Sequence, residues 1–246
     1  MAAFWRLDPF TAQIVHSYGF SNFQTIFEGE VYRTIVLRTV GIAAAVTVAD
    51  ALLAFPIAFY MAKVASPRVR GLLVIAVLMP LWSSYLVKVY AWRTILSQDG
   101  ILNWVLNPLG LSGPGYGNVA TWLVFTYLWL PYMVLPIFAG LQRIPNSLLD
   151  ASGDLGAGAG HTLRRVILPL VFPAIVAGSI FTFSLTLGDY ITPQLVSSTQ
   201  FIGNVVYANV GVANNLPLAS AFATVPVVVM VVYLLIARRL GAFREL

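Results

Sequence analysis

The stretch Asp150–Pro169, DASGDLGAGAGHTLRRVILP, is the one long run in the second half of the chain that cannot lie in a bilayer. It carries Asp150, Asp154, His161, Arg164 and Arg165 with small residues between them, and strongly apolar segments stand on both sides. That contrast sets the class of the whole molecule. Of its 246 residues 59% are hydrophobic and 9% charged, with a mean hydropathy of +0.84, where a soluble domain carries about 25% charged residues. The chain is an integral membrane protein.

A hydrocarbon core about 30 Å thick takes roughly 20 apolar residues of helix. Five segments qualify: about 34–62, 71–92, 119–141, 169–187 and 218–237. Each contains proline, namely Pro56, Pro80, Pro131 with Pro136, Pro169 with Pro173, and Pro226. Membrane helices accept proline where neighbours re-satisfy the freed backbone groups. The expected fold is therefore an all-α integral membrane bundle of about five kinked transmembrane helices. Residues 1–33 mix Arg6, Asp8, His16, Glu28, Glu30 and Arg33 with aromatics and lack the apolar core of a signal peptide. They read as an extramembrane or interfacial arm, with 34–246 as the transmembrane domain. The connections 94–118 and 188–217 read as short interfacial helices or partly re-entrant segments.

Orientation follows from lysine and arginine. Lys63, Arg68, Arg70, Arg143, Arg164, Arg165, Arg238, Arg239 and Arg244 fall in 63–70, 142–168 and 238–246, leaving five of the fourteen basic residues for everything else. The positive-inside rule puts these three segments in the cytoplasm, with the N-terminus outside. A pI near 9.6 on such a chain reflects those loop charges and implies no nucleic-acid partner. With no cysteine and only His16 and His161, thiolate chemistry is excluded and no metal centre or cofactor is expected.

Four residues are candidates for a solute pathway: Asp50, Tyr85, Asp189 and Tyr190. Asp50 sits mid-span, where an unpaired carboxylate is expensive enough to suggest function. A structural reading, as a buried acid bonded to Thr47 or a neighbouring helix or simply protonated, stands equally open. Asp189 sits where the fourth span ends, and capping the next turn competes with meeting a cation. Trp82, Tyr85, Tyr90 and Trp92 cluster on the second span and read more readily as an interfacial aromatic belt than as a cation–π cage. Lys88 and Arg93, near the end of that span, snorkel to the interface.

In the polar loop, Gly156 supplies a corner free of Cβ strain between two short helices. Gly153, Gly158 and Gly160, with Ala151, Ala157 and Ala159, give a low-relief surface. Asn146-Ser147 suggests a helix start that would place Asp150 in the first turn, and Pro169 would open the following span. Gly156-x-Gly158-x-Gly160 is no dinucleotide fingerprint, because no strand precedes it and the final spacing is missing.

The order Asp150-Ala151-Ser152, then Gly156, then Val166-Ile167-Leu168-Pro169 resembles the EAA loop of importer permeases of the ABC (ATP-binding cassette) class. The resemblance covers about Phe23 to Arg239 and is greatest to the spermidine/putrescine branch. Pro56-Ile57-Ala58, Met79-Pro80-Leu81-Trp82, Gly100-Ile101-Leu102-Asn103, Leu130-Pro131-Tyr132-Met133-Val134-Leu135-Pro136, Gly188-Asp189-Tyr190-Ile191-Thr192-Pro193 and Ile202-Gly203-Asn204 carry it. The triplet begins with Asp150 where the family favours Glu, a shortening by one methylene that should leave docking intact. The resemblance implies a transport subunit of an ATP-driven importer. It also implies a cytoplasmic ATPase dimer, a second permease subunit and an external binding protein as partners, besides membrane lipids. Asp150, Ala151, Ser152, Gly156, Val166, Leu168 and Pro169 would then form the ATPase-docking element, and the expected solute is a polyamine (spermidine or putrescine) or a similar small solute. Permeases of that branch usually have six spans, so the resemblance implies either an upstream start or a five-span variant.

The chain has no GxxxxGK[ST] sequence, so ATP hydrolysis is expected of a partner. An ATP-independent secondary transporter or channel is the alternative, but coupled transport tends to need intramembrane ionisable pairs or inverted repeats, and neither is evident. A membrane-embedded hydrolase would need a catalytic constellation that two distant histidines do not provide.

Overall fold

The computed structural model describes residues 1–8, 10–11 and 13–239; Arg244, one of the basic residues counted above, lies outside them. The first span is α2, Glu30–Phe59, preceded by the short helix α1, Ser21–Glu28. Its buried residues include Ile35, Thr39, Ala43, Val46, Asp50, Ala54 and Ala58. They recur every three or four positions and form one stripe, as helical spacing requires. A wide i→i+5 turn, Tyr60–Val64, continues it past the expected end at 62.

The second span departs from expectation. Instead of one helix over 71–92 there are two, α3, Pro67–Trp82, and α4, Tyr85–Leu96. Ser83 between them is extended, with φ −80° and ψ 150°. The Ser83 hydroxyl donates to the carbonyl of Pro80 at 2.9 Å, taking up an acceptor that a continuing helix would use for its own ladder. Ser66, extended, and Pro67 at the first turn open α3.

Short α5, Ile101–Leu106, leads to α6, Asn118–Arg143, which carries Pro131 and Pro136. The polar loop forms α7, Asn146–Asp154, and α8, Ala159–Thr162. A second wide turn, Leu163–Ile167, joins α8 to α9, Leu168–Gly188. Pro169 therefore does not open a new helix, because Ala159–Gly188 is one 30-residue apolar helix. The i→i+5 turn loosens the ladder just before Pro169, where a proline could not donate an i→i−4 bond anyway. Two short helices follow, α10, Ile191–Val196, and α11, Ile202–Gly211, before the last span, α12, Leu216–Arg239.

Among the described residues, four helices are long and apolar enough to cross a membrane, or five if the broken pair beginning with α3 counts as one span. In the N-terminal 33 residues a two-stranded hairpin pairs Arg6–Leu7 with Ile14–Val15. Asp8 caps its turn, and the backbone N–H groups of Phe10 and Thr11 hold its carboxyl below the usual range.

The chain divides into two compact units. The first comprises 1–46, 86–125 and 184–233. Its core gathers Ala3, Ile26, Ile35, Ile202, Val205, Leu218 and Phe222, with Tyr32 edge-on to Phe222 at 4.9 Å. Asn22 ties the N-terminal segment down, donating to the carbonyls of Ala3 and Trp5 at 2.9 and 2.7 Å. The second unit comprises 47–85, 126–183 and, among the described residues, 234–239. Its core is Ala54, Ala58 and Met61 against Met133, Ile137, Leu141, Ile167 and Val171. Small residues bring these backbones close: a Cβ on Gly178 would stand 2.7 Å from Met133 Sδ, and one on Gly140 would stand 2.6 Å from Ala174 Cβ.

Candidate functional site

In the second unit, α7 and α8 meet at Gly156, whose φ of +79° lies in the left-handed region. Here glycine avoids the strain any other L-residue would meet. The turn is closed by its own backbone: Gly156 N–H donates to Gly153 O at 2.8 Å and Ala157 N–H to Ser152 O at 3.0 Å. Ser152, buried, shares a hydroxyl–hydroxyl bond of 2.8 Å with Thr162, pinning one short helix to the other. Around this hinge nearly everything faces outward. Asp150, Ala151, Gly156 and Pro169 are exposed, while Val166 and Leu168 are half-buried. No neighbouring atom lies within 4 Å of where a Cβ would stand on Gly153, Gly156, Gly158 or Gly160.

Two details correct the expectation. Helix α7 starts at Asn146 with extended Pro145 before it and no side-chain cap. Asp150 thus lies beyond the first turn, too far along to act on the helix N-terminus, whose field fades within a turn. The second detail was missed. Leu155, at the corner beside Gly156, is 89% exposed. Its only sequence signal was a lone leucine among small and polar residues.

Lys63 steadies the entry to this element, donating to Ile144 O and to Asn146 Oδ1. Arg70 does the same for the end of the first span, reaching Met61 O at 3.0 Å and Ala62 O at 3.2 Å.

The four pathway candidates are divided between the two units. Asp50, in the second unit, has no exposed surface, and neither carboxylate oxygen has a hydrogen-bond partner in the structure. Its expected partner Thr47 instead accepts from Thr182 Oγ1 at 3.4 Å. Tyr85, in the same unit, leaves the expected belt and stacks on Trp129 at 6.1 Å with the rings 11° apart. Trp129 is edge-on to Tyr132 at 6.0 Å, and Tyr132 stacks on Phe181 at 6.4 Å. Four rings from α4, α6 and α9 thus form a row, while Trp82 stays 84% exposed. Trp129 and Phe181 were not singled out from the sequence, and Tyr132 only within the family motif, because residues 44 to 96 positions from Tyr85 carry no local signal of meeting it.

Asp189 and Tyr190 belong to the first unit. Asp189 caps α10: its Oδ1 accepts from the N–H groups of Ile191 and Thr192 at 2.7 and 3.2 Å, and its Oδ2 from Thr192 Oγ1 at 3.1 Å. The capping reading is the one the geometry favours. Tyr190 stacks on Tyr207 at 4.7 Å, and its carbonyl accepts from Asn204 Nδ2 at 2.9 Å. Among the described residues no group of three or more potential metal ligands gathers.

Residues 43–243 match the family described as binding-protein-dependent transport system inner membrane component. The chain is 46% identical, over 99% of its length and 82% of the relative's, to the inner membrane ABC transporter permease protein YdcU of Escherichia coli. It is 32% identical, over 81% of its length and 71% of the relative's, to the spermidine/putrescine permease protein PotB of Haemophilus influenzae. Among solved structures its fold is similar to a bacterial ABC transporter that imports alginate, with a TM-score of 0.69 at 19% identity, covering 94% of this chain and 85% of that one. The inward-facing MetNI methionine transporter gives a TM-score of 0.65 at 15% identity, covering 85% of this chain and 94% of that one.

Proposed function

This chain belongs to the family of binding-protein-dependent transport system inner membrane components, and from that premise we propose how it works. It is the multi-pass permease subunit of an ABC importer in the inner membrane, and it is not itself an enzyme. In our reading a cytoplasmic ATPase dimer drives it, a second permease subunit completes the passage, and an external binding protein delivers the solute. Structures similar in fold support this set: one holds a periplasmic substrate-bound protein, another is the MetNI transporter.

The observation that carries the mechanism is the self-bonded α7–α8 corner. Its backbone hydrogen bonds are satisfied internally, so it stays folded while exposing small residues and Leu155. A rigid, low-relief surface with one apolar anchor suits a groove on a partner, and it continues without interruption into α9. Closure of the ATPase dimer would push on Asp150, Ala151, Ser152 and Gly156, and the rod from Ala159 through Val166, Leu168 and Pro169 would carry the motion into the membrane. The loop and the C-terminus lie in the cytoplasm in this reading, the N-terminus outside, and residues 1–33 at the membrane surface. Asp50 and Tyr85 serve the passage in the second unit. In the first, Asp189 holds the turn that carries Tyr190.

For the solute we propose a polyamine such as putrescine or spermidine, supported by the PotB likeness. Uptake of radiolabelled putrescine and spermidine, by a strain lacking this chain and by the same strain complemented with it, tests the assignment. Complementation restoring uptake of either supports it. Restored growth on another solute without amine uptake would reject the polyamine and leave the permease role intact.

A further inference from the structure

The face that opens the first span changes character along its length. Glu30, Thr34, Arg38, Gly41 and Ala45 follow one another by three or four positions and so share one side of α2. All are exposed except Arg38, which is half-buried. The first three are polar, and with Ile35, Thr199 and Gln200 they line a cavity of about 380 Å³ in the first unit. Arg38 donates to the carbonyl of Gln200 at 3.1 Å. A guanidinium has further N–H groups to offer, and among the described residues no protein acceptor takes them. Among the same residues the Glu30 carboxylate has neither a hydrogen bond nor an ion pair. Thr34, between them, donates its hydroxyl to Glu30 O at 2.8 Å, which leaves its own oxygen able to accept. The opposite wall is held in place: Thr199 Oγ1 donates to Asn118 Oδ1 at 2.8 Å, and Ile202 N–H to Thr39 Oγ1 at 3.1 Å.

We propose that this cavity holds the headgroup of a phosphatidylethanolamine, with its phosphate on Arg38, its ammonium on Glu30 and Thr34, and an acyl chain over Gly41 and Ala45. The site goes beyond the transport reading and depends on no particular solute. Depth is the first support. Between Arg38 and Lys63 the only charge is Asp50, and that length of helix is close to the roughly 30 Å of a hydrocarbon core. Arg38 therefore stands at the core's edge, at phosphate level, and Glu30 above it among the headgroups. Charge is the second support. One cation and one anion, each short of partners, match a zwitterion. A phosphatidylglycerol would satisfy Arg38 and leave Glu30 beside a second anion, and an amine solute would meet Arg38. Arginine's planar fork suits phosphate. The backbone rises roughly 12 Å from Glu30 to Arg38, and the arginine side chain leans toward the helix N-terminus, which shortens the gap. Hydrogen bonding is the third. Like a lysine, ethanolamine has three N–H donors on its ammonium; choline has none. Past Arg38 the face offers a trough, because no atom lies within 4 Å of where a Cβ would stand on Gly41.

The test uses the assembled importer, purified with its partners and reconstituted in phosphatidylcholine nanodiscs. A photoactivatable phosphatidylethanolamine, with a diazirine near the top of an acyl chain, should label the stretch from Leu37 to Ala45. Unlabelled phosphatidylethanolamine should compete where phosphatidylglycerol and phosphatidylcholine do not. Arg38→Ala should lower the labelling about tenfold, the order expected from one lost charge-assisted hydrogen bond, and Arg38→Lys should recover part of it. Arg38 also holds Gln200, so Glu30→Gln gives an independent reading. That variant should keep the wild-type melting temperature and lose the preference for phosphatidylethanolamine over phosphatidylglycerol. Labelling spread evenly over the exposed residues of α12, or equal competition by all three lipids, would reduce the cavity to bulk lipid and overturn the proposal. Ready disulfide formation between Thr34→Cys and cysteines introduced on the second permease subunit would make this face a subunit contact and overturn it equally. Arg38→Ala and Glu30→Gln variants that label like the wild type would remove the headgroup site.

Discussion

Two of the polar breaks between the apolar helices are built on opposite principles. Between α6 and α9, the α7–α8 corner satisfies its backbone within a few residues and turns its side chains outward. Between α9 and α12, residues 188–215 are knitted into the first unit. Asp189 caps α10, and Asn204 bonds Phe201 N–H at 3.1 Å and Tyr190 O at 2.9 Å. Ile202 N–H reaches Thr39 Oγ1 at 3.1 Å, and Arg38 reaches Gln200 O at 3.1 Å. Gly203 packs so tightly that a Cβ would lie 2.8 Å from Asp189 O. One break is a self-contained, outward-facing surface, the one we propose for docking; the other is part of the fold's own framework. Damage to the first should cost function, and damage to the second should cost stability.

The largest effect is expected from Gly156→Glu. A side chain at φ +79° adds strain of about 1–2 kcal/mol, while the bulk and charge fall on the proposed docking face. Solute uptake should be abolished with membrane abundance near wild type, read by labelled uptake and immunoblot. Normal uptake would remove the docking role and erase the contrast. Gly203→Ala tests the opposite pole. Its Cβ meets backbone that cannot swing aside, so a loss of about 1–3 kcal/mol is expected, seen as a lower melting temperature of the purified complex. Unchanged melting would mean this segment yields more easily than its packing suggests.

Two smaller substitutions sharpen the comparison. Asn204→Ala strands a carbonyl and an N–H in a half-buried place and should destabilise by about 1–2 kcal/mol, again measured by melting. Ser152→Ala removes one hydroxyl pair next to the exposed corner. It should cost no more than about 1 kcal/mol of stability yet loosen α7 against α8, so uptake should fall by a larger factor than melting would suggest. Equal, negligible effects on both would show that the corner is held by its backbone alone.

How much of this could be read in advance differs by element. Gly156 was legible as the corner because only a residue without Cβ strain suits a reversal between short helices, and that is a local property. The helices α2, α6 and α12 were legible because uninterrupted apolar runs leave the backbone no partner in a membrane but itself. The break at Ser83–Ser84 was not. Its flanks are as apolar as any other span, Pro80 alone does not stop a membrane helix, and Tyr85 just after the break stacks on Trp129, 44 positions away. The cap at Asp189 was one of two readings, and the backbone N–H groups of Ile191 and Thr192 decided between them. Leu155 escaped notice because exposure is a relation between a side chain and everything that fails to cover it.

The amino-acid order by itself determined that this is a multi-helix membrane protein with a polar, glycine-cornered loop between its third and fourth apolar segments. Those properties are sums over neighbouring residues: the transfer of apolar surface from water, and the strain of one backbone conformation. Only the tertiary structure decided that the second span breaks, that Asp50 is sealed away without a hydrogen bond, and that rings from three helices meet in one row. Those depend on contacts between residues tens of positions apart, whose geometry no local sum contains.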